Sequence, residues 1–161
     1  MKKLYSPWRS AYIDTFKTEK KVKGCLFCRM AKQHDDESNL IVHRARHSFV
    51  VMNLYPYNSG HLMVVPMRHT RTLEKLSALE LREAFDLVKR SIAALTKVSK
   101  PHGYNIGINI GRVAGAGIED HVHIHIVPRW NGDTNFMPVL GETKIISEDL
   151  KESWSKLMRL F

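Results

Sequence analysis

The stretch His121-Val122-His123-Ile124-His125 constrains this chain more than any other. On a β-strand alternate side chains share a face. The spacing therefore predicts a strand with three imidazoles on one side and Val122, Ile124 and Ile126 on the other, in the hydrophobic core. Histidines held against a sheet must be hydrogen-bonded or metal-bound, because an unpaired buried polar group is costly. Two chemistries suit the row. Two or three of the rings could bind a catalytic metal, as histidines on one strand face can. Alternatively one ring could attack phosphorus, since neutral imidazole is plentiful near pH 7. The attacking nitrogen must then be unprotonated, so the other nitrogen holds the proton, with a backbone carbonyl as its usual partner.

The segment before the row favours the second chemistry. Gly111, Gly115 and Gly117 sit among small residues in Gly111-Arg112-Val113-Ala114-Gly115-Ala116-Gly117. Such a loop lets backbone N–H groups approach an anion closely, which points to a phosphate beside the histidines. The two cysteines stand as Cys25-Leu26-Phe27-Cys28. Without the oxidising setting of a structural disulfide they read as a metal pair or a redox pair. A structural zinc needs two further ligands, for which His34, His43, His47, His61, His69, His102 and the row itself are candidates.

A chain of 161 residues with 43% hydrophobic residues is the size of one domain and can bury a core. Its formal net charge of +9 favours an anionic partner such as a nucleotide or phosphate. The basic residues are scattered, and no helix-turn-helix or RNA-recognition signature accompanies them, so nucleic acid is not the expected partner. No apolar run reaches the roughly 20 residues of a membrane helix. The first 18 residues carry Lys2, Lys3, Arg9, Asp14 and Lys17 among their apolar positions, unlike a signal peptide. A cytoplasmic protein without membrane contact is the expectation.

Along the chain, residues 1–24 read as an extension that packs on the domain through Leu4, Tyr5, Trp8, Tyr12 and Phe16, and 25–161 as the domain itself. Strands are predicted at Leu40 to His43, Ser48 to Asn53, His61 to Val65, Tyr104 to Ile110 and His121 to Val127, the last ended by Pro128. Ser77-Ala78-Leu79-Glu80 has the form of a capping box. It opens a helix whose stripe is Leu81, Phe85, Val88, Ile92 and Leu95. A second helix carries Leu150, Trp154, Leu157, Met158 and Phe161. Short connections predict an α+β fold, an antiparallel sheet with two main helices against one face.

These residues together resemble the histidine triad (HIT) superfamily. The resemblance rests on His121 to Arg129, Cys25 to Cys28, Asn53, Gly60-His61-Leu62-Met63-Val64-Val65-Pro66, His69, and Asn109 with Gly111. Leu4-Tyr5-Ser6-Pro7-Trp8-Arg9, Gly115-Ala116-Gly117-Ile118 and Pro128-Arg129-Trp130-Asn131-Gly132-Asp133-Thr134-Asn135-Phe136 look like the diadenosine polyphosphate hydrolases and phosphorylases. The resemblance implies a homodimer with a continuous sheet and His123 as nucleophile. It implies that His125 contacts phosphate beside His121, and that Asn53 holds the ribose hydroxyls. Asn109, His125 and the backbone from Gly115 through Gly117 to Ile118 would cradle the phosphate. It also implies a closed structural zinc site of Cys25, Cys28, His69 and His121. One departure stands out. Many members carry Gln then Ser or Thr before the triad, and Ala116-Gly117-Ile118 stands there instead.

The expected activity is cleavage of a dinucleoside polyphosphate, of the diadenosine tetraphosphate type, at an α-phosphate through a nucleotidyl-histidine. A nucleoside phosphoramidate hydrolase, a zinc hydrolase with the metal on the triad and a non-catalytic nucleotide-binding regulator are the alternatives.

Overall fold

The computed structural model describes residues 24–134, 146 and 148–161. Nearly all of the expected extension, Trp8 and Arg9 included, therefore lies outside the described residues, as do Asn135 and Phe136 of the motif after the triad. In chain order the elements are α1 (Leu26–Lys32), β1 (Ile41–Arg44), β2 (Ser48–Met52), β3 (Leu62–Pro66), α2 (Ala78–Ser99), β4 (Gly103–Ile108), β5 (Ile124–Arg129) and α3 (Leu150–Met158). The strands form one sheet in the order β1-β2-β3-β5-β4, with every neighbouring pair antiparallel. The expected α+β class is what folds. Among the described residues no helix is long and apolar enough to cross a membrane.

Both sheet faces are apolar, which is why all five residues of β2 are buried. On one face Val50, Met52, Leu62, Val64, Ile124 and Ile126 pack against Ala84, Leu87, Val88, Ala94 and Leu95 of α2 and Leu157 of α3. On the other, Ile41, Phe49, Val51, Met63 and Val65 meet Phe27 and Met30 of α1.

Helix α1 is a third helix that the sequence did not announce. Its seven residues are too few to show a period, and a helix this short persists only through packing and capping. Burial of Phe27 contributes about 1.5–3 kcal/mol. Arg44, reaching across from β1, closes its C-terminal end. The guanidinium donates to the carbonyls of Met30, Ala31 and Gln33 at 2.9, 3.0 and 2.7 Å and to Asp36 at 2.8 Å. Those carbonyls are among the acceptors a helix end leaves open.

The long helix begins as its sequence demands. Ser77 Oγ accepts from the Glu80 amide, and Glu80 returns the bond to the Ser77 amide at 2.7 Å. Arg68 forks onto the same carboxylate at 2.8 and 2.9 Å, tying the chain after β3 to this cap. The buried stripe differs from the expected one. Ala84, Leu87, Val88, Ser91, Ala94 and Leu95 face the sheet, whereas Phe85 is 52% exposed. Small residues let the helix approach closely, a contribution that a search for large apolar side chains passes over.

The triad strand also needs correcting. Ladder pairing covers Ile124–Arg129, and His121 to His123 lead into it. Pro128 does not end it; it pairs opposite Tyr104 of β4. Its carbonyl accepts from Asn58 Nδ2 at 3.0 Å, on the β3 side, so its missing N–H falls beyond the last β3 pair, Leu62 with Ile126. No ladder bond is forfeited there.

Candidate functional site

The expected one-sided alternation is present. Ile124 and Ile126 join the α2 core, while His121, His123 and His125 are buried among neighbours on the other side. Phe27 of α1 backs them, its ring centroid 5.5 Å from that of His121 and 5.1 Å from that of His123. The segments carrying His69 and His121 are joined by the Val122 amide donating to the Thr70 carbonyl at 2.7 Å.

Hydrogen bonds to groups that can only donate or only accept fix where each ring holds its proton. His123 Nδ1 lies 2.8 Å from the His121 carbonyl, so it donates, and Nε2 carries the lone pair. His121 Nε2 donates to the Pro66 carbonyl at 2.8 Å, which leaves the lone pair on Nδ1. A fourth histidine continues the row. The Tyr57 amide donates to His61 Nδ1 at 3.0 Å, and Asn53 Nδ2 lies 3.3 Å from the same nitrogen. His61 Nε2 therefore holds its proton and donates to His125 Nδ1 at 2.9 Å. The proton of His125 is then on Nε2, a buried donor with no partner among the described residues. The row thus presents a lone pair on His123 and an N–H on His125, with ring centroids 4.7 Å apart.

Burial keeps these rings neutral. It lowers His61 to about 3, helped by the charges His125 and His123 would carry, and lowers His125 to about 4, helped by His123. His123 is lowered mainly by burial, against its bond to the His121 carbonyl. His121 is lowered by burial too, opposed by the Pro66 bond and assisted by His69 and His123.

The second constellation is Cys25, Cys28, His69 and His121, whose ligand atoms all lie within 4.8 Å of one another. Cys25 Sγ is 3.3 Å and Cys28 Sγ 3.6 Å from His121 Nδ1, and Cys28 Sγ is 3.3 Å from His69 Nδ1. A tetrahedral ion with ordinary zinc bond lengths separates its sulfur and nitrogen ligands by about 3.5 Å. The spacing suits such an ion, and so does the unprotonated Nδ1 that His121 turns toward the cysteines. Burial and the neighbouring Cys25 raise the Cys28 thiol above its ordinary value. Of the other candidate ligands, His43 stacks on Phe161, His102 accepts from the Asn131 amide and His61 belongs to the row. His34 and His47 also lie outside the cluster.

The remaining expected residues surround the row. Asn53 Oδ1 accepts from the Tyr55 amide at 2.9 Å while its amide group faces His61. The β4–β5 register pairs Ile108 with Ile124, so Asn109 continues opposite His123. Asn109 Nδ2 reaches the Gly115 carbonyl at 3.4 Å across the base of the glycine loop. Gly111 and Gly115 have φ of 81° and 88°, the left-handed region that glycine enters without penalty. Gly117 is exposed, and Ile118 packs against the Phe27 cluster. Sequence reasoning offered His61 as a candidate zinc ligand and a landmark of the resemblance, not as the partner of His125, and gave Phe27 no role in the site. The signals were there, since His61 begins the predicted third strand and Phe27 stands between the two cysteines.

A family model described as HIT domain matches residues 34–132. A protein named AP-4-A phosphorylase, from Mycobacterium tuberculosis (strain ATCC 25618 / H37Rv), is 45% identical over 121 residues, 75% of this chain and 62% of that protein. The chain therefore spans less than two thirds of that relative's length. An uncharacterised HIT-like protein from Methanocaldococcus jannaschii is 35% identical over 130 residues, 80% of this chain and 97% of that protein. Among solved structures, a crystal structure of a Zn-bound histidine triad family protein from Mycobacterium smegmatis aligns with a TM-score of 0.68 and 25% identity, covering 85% of this chain and 92% of that one.

Proposed function

Because the chain belongs to the HIT domain family, we propose that it is an enzyme that cleaves dinucleoside polyphosphates, of the diadenosine tetraphosphate type, at an α-phosphate. The observation that carries this reading is the order of protons in the row. His123 Nε2 is a lone pair aimed by a carbonyl, and His125 Nε2–H is a donor aimed by His61. A nucleophile and an adjacent donor for phosphoryl oxygens are what displacement at phosphorus requires.

His123 attacks the α-phosphorus, the bond to the remaining phosphate chain breaks, and the nucleotide stays on Nε2. His125 and the backbone of Gly115, Gly117 and Ile118 stabilise charge on the phosphoryl oxygens. Asn109 braces that loop, and Asn53 holds the ribose. Inorganic phosphate is the acceptor favoured for the second step, because the Mycobacterium tuberculosis relative is named a phosphorylase.

The Cys25, Cys28, His69 and His121 cluster would hold a zinc ion, closed by four protein ligands and so structural. When bound, it would supply rigidity to the segment leading into the triad. His121 is the direct link, since its own carbonyl orients His123 two residues on. Dimerisation through a continuous sheet belongs to the same reading. Among the described residues β4 borders only β5, and Ile106 and Ile110 near that edge, with Leu79 and Phe85 of α2, are exposed. Residues 1–24 would form an extension on a 25–161 domain, in a reducing cytoplasm that keeps both cysteines available as ligands.

The test is turnover of diadenosine tetraphosphate with and without inorganic phosphate, with products separated. ADP plus ATP formed only with phosphate supports phosphorolysis. AMP plus ATP makes water the acceptor. Binding without any turnover would overturn the enzymatic reading in favour of a regulatory nucleotide binder.

A further inference from the structure

His61 and His125 share one hydrogen bond, and two neutral imidazoles can order their protons along it in either of two directions. In one, His61 Nε2–H points at His125 Nδ1, and His125 keeps its proton on Nε2. In the other, His125 Nδ1–H points back at His61 Nε2, and His125 Nε2 becomes a lone pair. Only the first direction offers a phosphoryl oxygen a donor. The Tyr57 amide selects it, because an N–H 3.0 Å from His61 Nδ1 leaves no room for a proton on that nitrogen. The Asn53 amide group, 3.3 Å from the same atom, adds to the selection.

The place of the Tyr57 amide is decided one residue further on. The turn from Asn53 to His61 closes through its main chain, with the Asn53 amide on the His61 carbonyl at 2.9 Å and the His61 amide on the Asn58 carbonyl at 3.2 Å. Its far side is held by the side chain of Asn58, which is buried. Asn58 Nδ2 donates to the Pro128 carbonyl at 3.0 Å and to Asp133 Oδ2 at 2.7 Å, so the turn is anchored to the end of the triad strand. Asp133 belongs to the Pro128 to Phe136 stretch that the sequence singles out, and its side chain is only 8% exposed. Its carboxylate also accepts from Arg129 Nε and Nη2 at 2.7 and 2.8 Å and from the Trp130 amide at 3.0 Å. Arg129 Nη1 in turn donates to Asn105 Oδ1 of β4 at 2.7 Å. A carboxylate withdrawn from water is costly unless paired and hydrogen-bonded, and the Arg129 fork pairs this one. Oδ2 is thereby shared between β5 and the turn before β3.

We infer that Asp133 is a positioning residue: through Asn58 it holds the Tyr57 amide against His61 Nδ1, and so keeps the proton of His125 on Nε2. The inference rests on the reading of His125 as a donor to the phosphoryl oxygens and extends it to a residue outside the row. Without the carboxylate Asn58 keeps one anchor of two, and the turn can carry the Tyr57 amide away from His61. Both proton directions then become accessible, and a share of the molecules turns a lone pair toward the phosphoryl oxygens.

The experiment uses the full, zinc-replete chain labelled with ¹⁵N. Long-range ¹H–¹⁵N correlation reads which ring nitrogen of His61 and His125 holds the proton, and steady-state turnover of diadenosine tetraphosphate in phosphate buffer reads the consequence. Wild type should show both protons on Nε2. Asp133→Ala should move His125 toward the Nδ1–H form. A misplacement of about 1 Å can cost about 100-fold, so kcat should fall about 10–100-fold while KM stays within about threefold. Asp133→Asn retains an oxygen that can stand at the Oδ2 position, so it should recover most of both signals. Asn105→Ala, which loses only the outermost bond of the network, should resemble wild type. Should Asp133→Ala fail to fold, Asn58→Ala makes the same break from the other side and should give the same shift. Wild-type proton positions in a folded Asp133→Ala or Asn58→Ala would overturn the inference whatever happened to turnover, because Asp133 would then serve stability alone. An equal shift in Asn105→Ala would overturn it too, as general loosening. Shifted protons with unchanged kcat would overturn the link to the reaction. Absence of wild-type turnover would defeat the nucleotidyl-transfer reading instead, and the proton positions would still decide for or against Asp133.

Discussion

Replacing His61 by phenylalanine tests how the histidine row works. The ring volume is roughly kept, but the Tyr57 amide and His125 Nδ1 both lose their partner in a buried setting. A buried polar group left unpaired costs about 1–3 kcal/mol, so His61→Phe should lose about 2–5 kcal/mol of stability near pH 8. The variant should also change how stability depends on pH. In the folded chain burial holds His61 at about 3, whereas the unfolded chain titrates near 6.5. Below that value the unfolded state binds a proton that the folded state refuses. The contribution of this ring is therefore complete above about pH 7 and is lost as pH falls, by about 1.4 kcal/mol per pH unit between about pH 6 and 4. His125, held at about 4, adds a slope of the same sign over nearly the same window. Urea unfolding of wild type and variant at pH 7.5, 6 and 5, at matched zinc, reads the difference. The wild-type slope below pH 6 should exceed that of His61→Phe by about 1.4 kcal/mol per unit. Parallel slopes would refute the claim that His61 is buried neutral. Turnover should fall as well, by up to about 100-fold in kcat, because His125 no longer has its proton directed to Nε2.

Four further substitutions probe the site and its supports. Cys25→Ser should abolish stoichiometric zinc, measured by elemental analysis of the purified chain, whereas His125→Asn should retain it; the reverse pattern would move the metal onto the triad. Arg44→Ala removes the donors that close α1, and zinc affinity measured against a chromophoric chelator should weaken about 10–100-fold, as outer-shell supports of metal sites typically do. Unchanged affinity would show that α1 holds its cysteines without Arg44. Gly60→Ala should cost at least about 1–2 kcal/mol in thermal or urea unfolding, since φ is +72° and the added carbon would meet Leu95 Cδ2 at 3.0 Å.

Much of this site is legible in the sequence because its residues obey local rules. The alternation of His121, His123 and His125 with Val122 and Ile124 states which way the rings face, and Ser77 with Glu80 marks the start of α2 before any contact is known. The glycine loop and the cysteine pair are legible as motifs. What stays hidden depends on contacts distant in sequence. Helix α1 is too short for a period and owes its existence to Arg44 and to the Phe49 and Val51 face of the sheet. Phe85 carries a strong apolar signal yet lies outward, because Ala84 and Ser91 let the helix approach on the neighbouring stripe. Pro128 reads as a strand end until the β3 side of β5 is seen to finish at Ile126. The proton order of the row is likewise beyond the sequence. It follows from two carbonyls and one amide, those of His121, Pro66 and Tyr57, that only the fold brings to the rings.

The central claim is that His123 Nε2 takes the nucleotide. The direct measurement is intact-protein mass after mixing the chain with diadenosine tetraphosphate in phosphate-free buffer and quenching under denaturing, non-acidic conditions, followed by peptide mapping. The account predicts one AMP moiety per chain, located on His123, discharged by added phosphate and absent from His123→Asn. Near-normal turnover by His123→Asn, or an adduct on any other residue, would contradict it.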